Sequence, residues 1–305
     1  MPKRAFLSLL SLGLIFLVGA DCRSAGDYRQ QPKSKATRPA EAIWHRTRTS
    51  PLDLELSGDL VGLAPGAKRY VSRQDLLALP QVSYTVTDDL NFDGSTAVRG
   101  VELELLARAL AAEGEKALVV ATCVDLFRAH YPQAYAQAHR PLLVLEINGQ
   151  GPDAWPKSKQ GLPMGPYVIS HPQFTPSFKT LSQEDEAQIP WGVIRLEFRD
   201  EKKLLDSIAP VGPTSGEPAV QAGYRIAQQL CLHCHSTGTE PLKGKWTWAA
   251  IGMMAASAPS QFAAYVRNPR GKAQYAEMPA YPNYDDATLQ ALTSYFRTFD
   301  PAKRP

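Results

Sequence analysis

The pattern of hydrophobic and polar residues divides this chain into five segments of different character. They are a first segment at 1–20 that contains an apolar run from Ala5 to Ala20, a polar stretch at 21–50, short apolar runs at 51–205, a Pro/Gly/Ser-rich stretch at 206–217 and a last segment at 218–305 that ends in a helical period. The polar stretch has almost no large apolar residue to bury, which is typical of a flexible tether. The pattern therefore predicts two domains, with folding beginning near Leu52 and a linker at 206–217.

The first segment has the composition of an export signal. Lys3 and Arg4 precede the apolar run, which closes on the small residues Val18-Gly19-Ala20, as a signal peptidase requires. A transmembrane anchor is the alternative, but the run falls short of the ~20 residues that cross a bilayer. A lipid anchor at Cys22 is a further alternative. The sequence predicts an exported, periplasmic protein without a transmembrane segment once the signal is removed.

Alternating apolar and polar positions predict an α+β domain, rich in β structure, over 51–205. The expected strands lie at 52–56, 82–86, 117–122, 141–147 and 193–198. The capping sequence Ser72-Arg73-Gln74-Asp75 predicts a short helix that Pro80 stops, and residues 101–112 form a second expected helix.

The last segment ends in a predicted helix. Its final helix begins at Asp285 and carries apolar residues at intervals of three and four, ending near Phe299. This domain contains the pentapeptide Cys231-Leu232-His233-Cys234-His235, whose spacing is that of a c-type haem attachment site. Two thiols so spaced can bond both haem vinyl groups, and the adjacent His235 then becomes an iron ligand. A redox disulfide and a zinc site are the alternatives, but neither has its expected sequence context here.

A second axial ligand is expected across the haem from His235. Met278 lies far enough along the chain to return on the opposite face, and its thioether would raise the reduction potential relative to two histidines. Met253 and Met254 compete for this role, but they lie in an apolar run where methionine is usually core.

Residues 218–305 resemble the class I single-haem cytochromes c. In that family a glycine of the first helix permits close approach of an aromatic residue of the last helix, and Gly223 and Tyr295 stand at these positions. A proline after the haem histidine accepts the proton of its Nδ1 through its carbonyl, and Pro241 resembles it. Glu240 stands before that proline where the family has glycine. The resemblance implies an all-α class I cytochrome c domain, one covalent haem c and electron transfer.

The order of motifs in 51–205 resembles the molybdopterin-binding domain of the sulfite oxidase superfamily. The segment 99–106, the turn at Glu146-Ile147-Asn148-Gly149 and the loop beginning Gly161-Leu162-Pro163 carry the resemblance. The family's metal cysteine would lie at 88–94, where this chain has none, and Met164 follows where an arginine contacts the cofactor. The resemblance therefore implies the fold, and molybdopterin is not expected.

Cys123 lies in a buried-strand pattern and is expected to be inert core rather than a displaced metal ligand. The three histidines His130, His139 and His171 are scattered in the sequence, and surface or capping roles are expected for them.

Composition narrows the functional classes without deciding among them. The 305 residues are 44 % hydrophobic and 21 % charged, which is incompatible with a disordered chain, and the net charge of +3 does not indicate nucleic-acid binding. Segment 218–305 has nine basic and five acidic residues, whereas 21–217 carries a net charge of −3. The basic surface would suit an acidic redox partner protein or the chain's own acidic domain.

Together the patterns predict an exported c-type cytochrome whose N-terminal domain is a docking module. A molybdenum-dependent oxidoreductase that passes electrons to its own haem domain is the alternative, so whether the protein is an enzyme stays open. A five-coordinate haem that binds a small ligand is a third hypothesis, and it requires that Met278 not bind the iron.

Overall fold

A computed structural model of the chain describes residues 43–110, 117–159, 161–172, 187–235 and 246–303. The strands among them are β1 (Leu54–Gly58), β2 (Arg69–Val71), β3 (Val82–Val86), β4 (Thr96–Glu102), β5 (Ala117–Cys123), β6 (Arg128–Tyr131), β7 (Leu142–Ile147), β8 (Val168–Ser170) and β9 (Val193–Asp200). The α-helices are α1 (Arg73–Ala78), α2 (Leu103–Ala109), α3 (Gln133–His139), α4 (Glu201–Asp206), α5 (Pro218–Gln229), α6 (Trp248–Ser257), α7 (Pro259–Arg267) and α8 (Asp286–Phe296). The described residues belong to one compact unit.

Two sheets form the first part of this unit, which we call the sheet region (β1–β9 with α1–α4). One sheet has the order β2-β1-β9-β5-β6, in which only β1 and β9 run parallel. The other has the antiparallel order β3-β4-β7-β8. Strand β7 contributes Leu143 and Leu145 to the main core and Leu142 and Val144 to a second core on its other face. Burial on both faces explains why the run from Leu142 to Leu145 is continuously apolar.

The region is α+β, as the apolar pattern predicts, but several boundaries differ. The first strand begins at Leu54 rather than at residue 52. The helix expected at 101–112 spans only Leu103–Ala109 among the described residues, because Val101 and Glu102 complete β4. Helix α1 begins as expected, with the Ser72 hydroxyl accepting the amide of Asp75 at 3.1 Å. Six strands and α-helices of this region are missing from the sequence prediction: β2, β4, β6, β8, α3 and α4. Strands β2 and β8 have three residues each, too few for a period to be visible.

Folding begins earlier than the polar composition of 21–50 suggests. Ile43 is buried in the main core, and the backbone of His45 exchanges hydrogen bonds with Tyr70 at 2.7 and 2.9 Å. The prediction that order starts near Leu52 is therefore wrong, because one isoleucine suffices to dock this segment on the core.

We call α5–α8 and their connecting segments the helical region. Helices α5 and α8 cross closely, and α6 packs beside them, with Trp248, Tyr295 and Phe296 buried between. Ile208 comes from the stretch expected to be a linker, yet it is buried in this core and its carbonyl accepts the Tyr295 hydroxyl at 2.6 Å. No helix in the described part of the chain is both apolar and long enough to span a membrane. The signal segment, Cys22 and Pro241 lie outside the described residues.

Candidate cofactor site

A cavity of about 870 Å³ opens in the helical region, within the ~300–1,000 Å³ usual for cofactor pockets. Both cysteines of the pentapeptide, His235 and Met278 line it together with apolar and aromatic side chains. Those side chains include Ile251, Phe262, Val266, Tyr284, Leu292 and Phe296. The cavity therefore has chemically reactive groups set in an otherwise largely apolar wall.

The pentapeptide forms a tight turn directly after α5. Residues Cys231–His233 make one turn of 3-10 helix, and the carbonyl of Cys231 accepts the amides of Cys234 at 3.3 Å and His235 at 2.9 Å. These two hydrogen bonds fold the segment back on itself, so both half-buried cysteines and His235 reach the same cavity. Leu232 is buried in the helical core and anchors the turn from behind.

The imidazole of His235 is oriented by a main-chain carbonyl. Its Nδ1 donates to the carbonyl of Trp246 at 2.9 Å. A carbonyl can only accept, so the proton of the neutral ring lies on Nδ1, and Nε2 carries the lone pair that a metal requires. The expected acceptor was the carbonyl of Pro241, which lies outside the described residues.

Two methionines line the cavity wall. Met278 lies among exposed residues after α7, is half-buried and packs on the helical core, and Met254 of α6 is also half-buried at the cavity. Met253 is 54 % exposed, so the expectation that it is core is wrong. Successive helical residues point about 100° apart, which explains why only one of this pair faces the cavity.

Gly223 and Tyr295 meet at the α5–α8 crossing, beside the helical core that backs the cavity. A Cβ on Gly223 would lie 2.1 Å from the Ala291 carbonyl oxygen and 2.7 Å from the Tyr295 Cβ. The hydroxyl of Tyr295 also accepts the indole N–H of Trp248 at 2.8 Å. Absence of a side chain at Gly223 therefore allows α5 to hold the pentapeptide close to α8.

The sheet region contacts the pentapeptide through the end of its β5–β6 hairpin. The Phe127 ring packs edge-on against the His233 imidazole with centroids 4.9 Å apart, and His130 stacks on the same imidazole at 5.7 Å. Burial is the main reason that the pKa of His233 falls to about 3 and that of His130 falls well below 6.5. Both rings are neutral at pH 7, so the contact between the two regions is not an ion pair.

The expectation of surface histidines is thus wrong for His130 and also for His171, which is 2 % exposed. The His171 Nε2 accepts the Tyr135 hydroxyl at 3.1 Å, and burial lowers the pKa of His171 to about 3. His139 packs on Tyr135 with ring centroids 4.6 Å apart. Tertiary packing assembles these aromatic residues from α3 and β8, which no local sequence pattern indicates.

A second cavity of about 350 Å³ adjoins the first and shares Phe127, Leu230, His233 and Tyr281 with it. Cys123 lines this second cavity and is 2 % exposed, which confirms the buried position expected for it. Burial raises the pKa of its thiol to about 12. Among the described residues, no group of three or more His, Cys, Asp and Glu is arranged to hold a metal ion.

Comparisons with known proteins leave the family open. No family model matches the chain, and no curated protein matches it significantly. Among solved structures, the sulfane dehydrogenase SoxCD from Paracoccus pantotrophus is similar to 51 % of this chain at 14 % identity, with a TM-score of 0.34. The aligned part spans 40 % of the length of that dehydrogenase chain. A TM-score of this size does not establish a common fold.

Proposed function

We propose that the protein is an exported c-type cytochrome that carries one electron at a time. The observation that carries the proposal is the 870 Å³ cavity, which both cysteines, His235 and Met278 line together. The donor set fits haem because it offers two thiols for covalent attachment, an imidazole with its lone pair on Nε2 and a soft thioether. Bound haem would supply an iron that alternates between the ferric and ferrous states.

Cys231 and Cys234 make the attachment in this proposal. Each thiol would hold the haem through a thioether, formed by adding its S–H bond across one vinyl double bond, which involves no net oxidation. His235 would offer its Nε2 lone pair to the iron, and its Nδ1 bond to Trp246 keeps the ring in the required tautomer. The apolar cavity walls exclude water and lower the local polarity.

Covalent attachment is tested with protein made in a host competent for cytochrome c maturation. We expect haem to stay with the polypeptide after denaturation, with one iron per chain. The variants Cys231→Ala and Cys234→Ala should each lose one thioether, and the double variant should lose all covalent haem. Cys123→Ala is the matched control, because Cys123 does not line the first cavity, and it should retain haem. Unaltered protein without covalent haem would refute the proposal.

The second axial ligand is tested by a matched pair of methionine variants. Met278→Ala should change the absorption spectrum of the oxidised protein and lower its reduction potential, because a Met/His pair raises that potential. Met254→Ala removes the other cavity methionine and should leave both properties nearly unchanged. If Met254→Ala alone had these effects, Met254 would be the ligand. If neither variant did, the hypothesis of a five-coordinate haem would replace the proposal.

The sheet region acts as a docking module in this proposal, and its contact with the pentapeptide through Phe127 and His130 supports that role.

A molybdenum-dependent oxidoreductase is the second candidate function, favoured by the position of Cys123 in a cavity that adjoins the first. The Cys123 site fits a metal poorly, because the thiol must lose a proton that burial holds tightly. Metal analysis separates the candidates: iron without molybdenum supports the cytochrome, and stoichiometric molybdenum supports the enzyme.

Export and partner choice complete the proposal. The basic and apolar character of residues 1–20 supports export to the periplasm, and the composition of 218–305 supports a redox partner protein with an acidic surface. Removing residues 2–20 should leave the protein in the cytoplasm, which cell fractionation measures. Retention of periplasmic protein after this deletion would contradict the export assignment.

A further inference from the structure

The second cavity lies where the sheet region meets the helical region. Its lining includes Asn91, Cys123, Phe127 and Trp191 from the sheet region and Leu230, His233 and Tyr281 from the helical region. Its volume of about 350 Å³ is near the lower end of the ~300–1,000 Å³ usual for ligand pockets, which suits a small organic molecule. The proposed cytochrome function uses only the first cavity.

Three aromatic side chains, Phe127, Trp191 and Tyr281, give the second cavity half-buried aromatic walls. Trp191 is held by a β-bridge to Val168 and packs on the second core of the sheet region. The Phe127 ring is held edge-on against the His233 imidazole, with centroids 4.9 Å apart. Aromatic rings pair favourably in edge-to-face and offset arrangements, so these walls suit a ligand with an aromatic ring.

The charge of the lining argues against an ionic ligand. Among the described residues that line this cavity, Asp125 is the one Asp, Glu, Lys or Arg. An anion would therefore find no cation to pair with, and burying a charge without a partner is costly. Asp125 is exposed, where water and salt screen its charge, and its carboxylate already accepts the Phe127 amide at 3.0 Å. The lining therefore favours an uncharged ligand over an organic cation as well.

Asn91 offers this cavity an oriented hydrogen-bond acceptor. Its side-chain Nδ2 donates to the carbonyl of Ile189 at 2.8 Å, and its backbone amide donates to the Asp89 carboxylate at 2.9 Å. A carbonyl can only accept, so the first bond fixes the amide nitrogen towards Ile189 and the amide oxygen away from it. That oxygen has no hydrogen-bond partner in the described part of the chain. A hydroxyl group on the ligand can donate to it.

We infer that the second cavity binds a small, uncharged aromatic alcohol, with its ring against Trp191 and Phe127 and its hydroxyl donating to the amide oxygen of Asn91. Phenol is the simplest molecule of this class. The inference goes beyond electron transfer and does not require haem in the first cavity, because Trp191 and Asn91 line the second cavity and not the first.

Isothermal titration of phenol into the purified full chain tests the site, and we expect one phenol to bind per chain. Trp191→Leu removes an aromatic wall and should weaken phenol binding roughly tenfold. Trp44→Leu is the matched control, because Trp44 is also half-buried but packs on the main core of the sheet region. It should leave the affinity for phenol unchanged.

Anisole, the methyl ether of phenol, tests the hydrogen bond to Asn91. It keeps the ring but cannot donate a hydrogen bond, so the wild-type protein should prefer phenol roughly fivefold. Asn91→Leu should abolish this preference. Because the preference is a ratio of two affinities measured on the same protein, general loosening of the cavity by the substitution would not remove it.

Two charged probes complete the experiment. Benzoate and benzylammonium should each bind at least tenfold more weakly than phenol, since each would bring an unpaired charge into the cavity. Failure of phenol to bind, equal affinities in wild type and Trp191→Leu, or tighter binding of either charged probe would overturn the inference. A preference for phenol that persists in Asn91→Leu would overturn the assigned acceptor. Absence of covalent haem refutes the cytochrome proposal alone, and phenol binding would still support this site.

Discussion

Replacing Gly223 by alanine tests the helix crossing that supports the candidate site. The added Cβ would lie 2.1 Å from the Ala291 carbonyl oxygen, 2.6 Å from its carbonyl carbon and 2.7 Å from the Tyr295 Cβ. Two of these atoms are backbone, and the third is attached to the backbone, so no side chain can rotate away. Helices α5 and α8 would have to separate by about 1 Å or more to restore ordinary contact distances.

The expected cost combines two opposing effects. Overpacking a core costs about 1–3 kcal/mol, and the upper end applies because the clash is with backbone. Alanine is a better helix former than glycine by about 1 kcal/mol, which offsets part of this loss. The net loss in free energy of unfolding is therefore about 2 kcal/mol, equivalent to a fall in Tm of roughly 3 °C for a protein of this size.

Thermal unfolding of the purified protein, followed by circular dichroism, measures this effect. Gly216→Ala is the matched control, because no atom lies within 4 Å of its added Cβ. That variant should change stability by less than about 1 kcal/mol, with stabilisation the expected direction. A Gly223→Ala protein that melts at or above the wild-type temperature would show that the crossing is not as close as described.

Two further predictions concern buried polar groups. Tyr295→Phe removes the hydroxyl that accepts from Trp248 at 2.8 Å and donates to a buried carbonyl at 2.6 Å. The free energy of unfolding should therefore fall by about 2 kcal/mol. Chemical denaturation measures this loss against the control Tyr265→Phe, and equal stabilities of the two variants would refute the prediction. Burial raises the pKa of Asp53, but hydrogen bonds from the preceding turn outweigh it and leave that pKa below 3.8. The ionised carboxylate therefore stabilises the fold above that pH and loses its contribution as the pH falls through the lowered pKa. Asp53→Asn should be destabilised by about 1–3 kcal/mol at pH 7, and its difference in stability from the wild type should narrow below about pH 4. Urea denaturation at both pH values measures this difference, with Asp93→Asn as the control. A stability difference that does not change with pH would contradict the prediction.

Much of the fold followed from local sequence patterns. Strand β3 occupies the predicted residues, β7 is displaced by one residue at its start, and α1 begins after the capping residue Ser72. These elements have clear periodicity or an explicit stop signal, so neighbouring residues alone specify them. The second predicted helix was too long because β4 continues through Glu102, and strand pairing overrode the helical composition there.

Local sequence patterns also predicted part of the candidate site. Spacing alone singled out Cys231, Cys234 and His235 as candidate residues, because the pentapeptide lies within five consecutive positions. The contributions of Phe127 and His130 could not be found so, because both come from the β5–β6 hairpin, about a hundred residues away in the sequence. The sequence analysis predicted no strand at β6, so no sequence signal indicated that these residues belong to a site.

Sequence by itself determined what local patterns encode: five of the nine described strands, the capped helix α1 and the spacing of the pentapeptide. Tertiary structure decided which distant groups meet that motif, including the Trp246 carbonyl on His235 and the face of β6 against His233. It also decided which histidines are buried and that Ile43 and Ile208 belong to the cores. The physical reason is that period and spacing describe one element at a time, whereas burial and polarity arise only where separate elements pack.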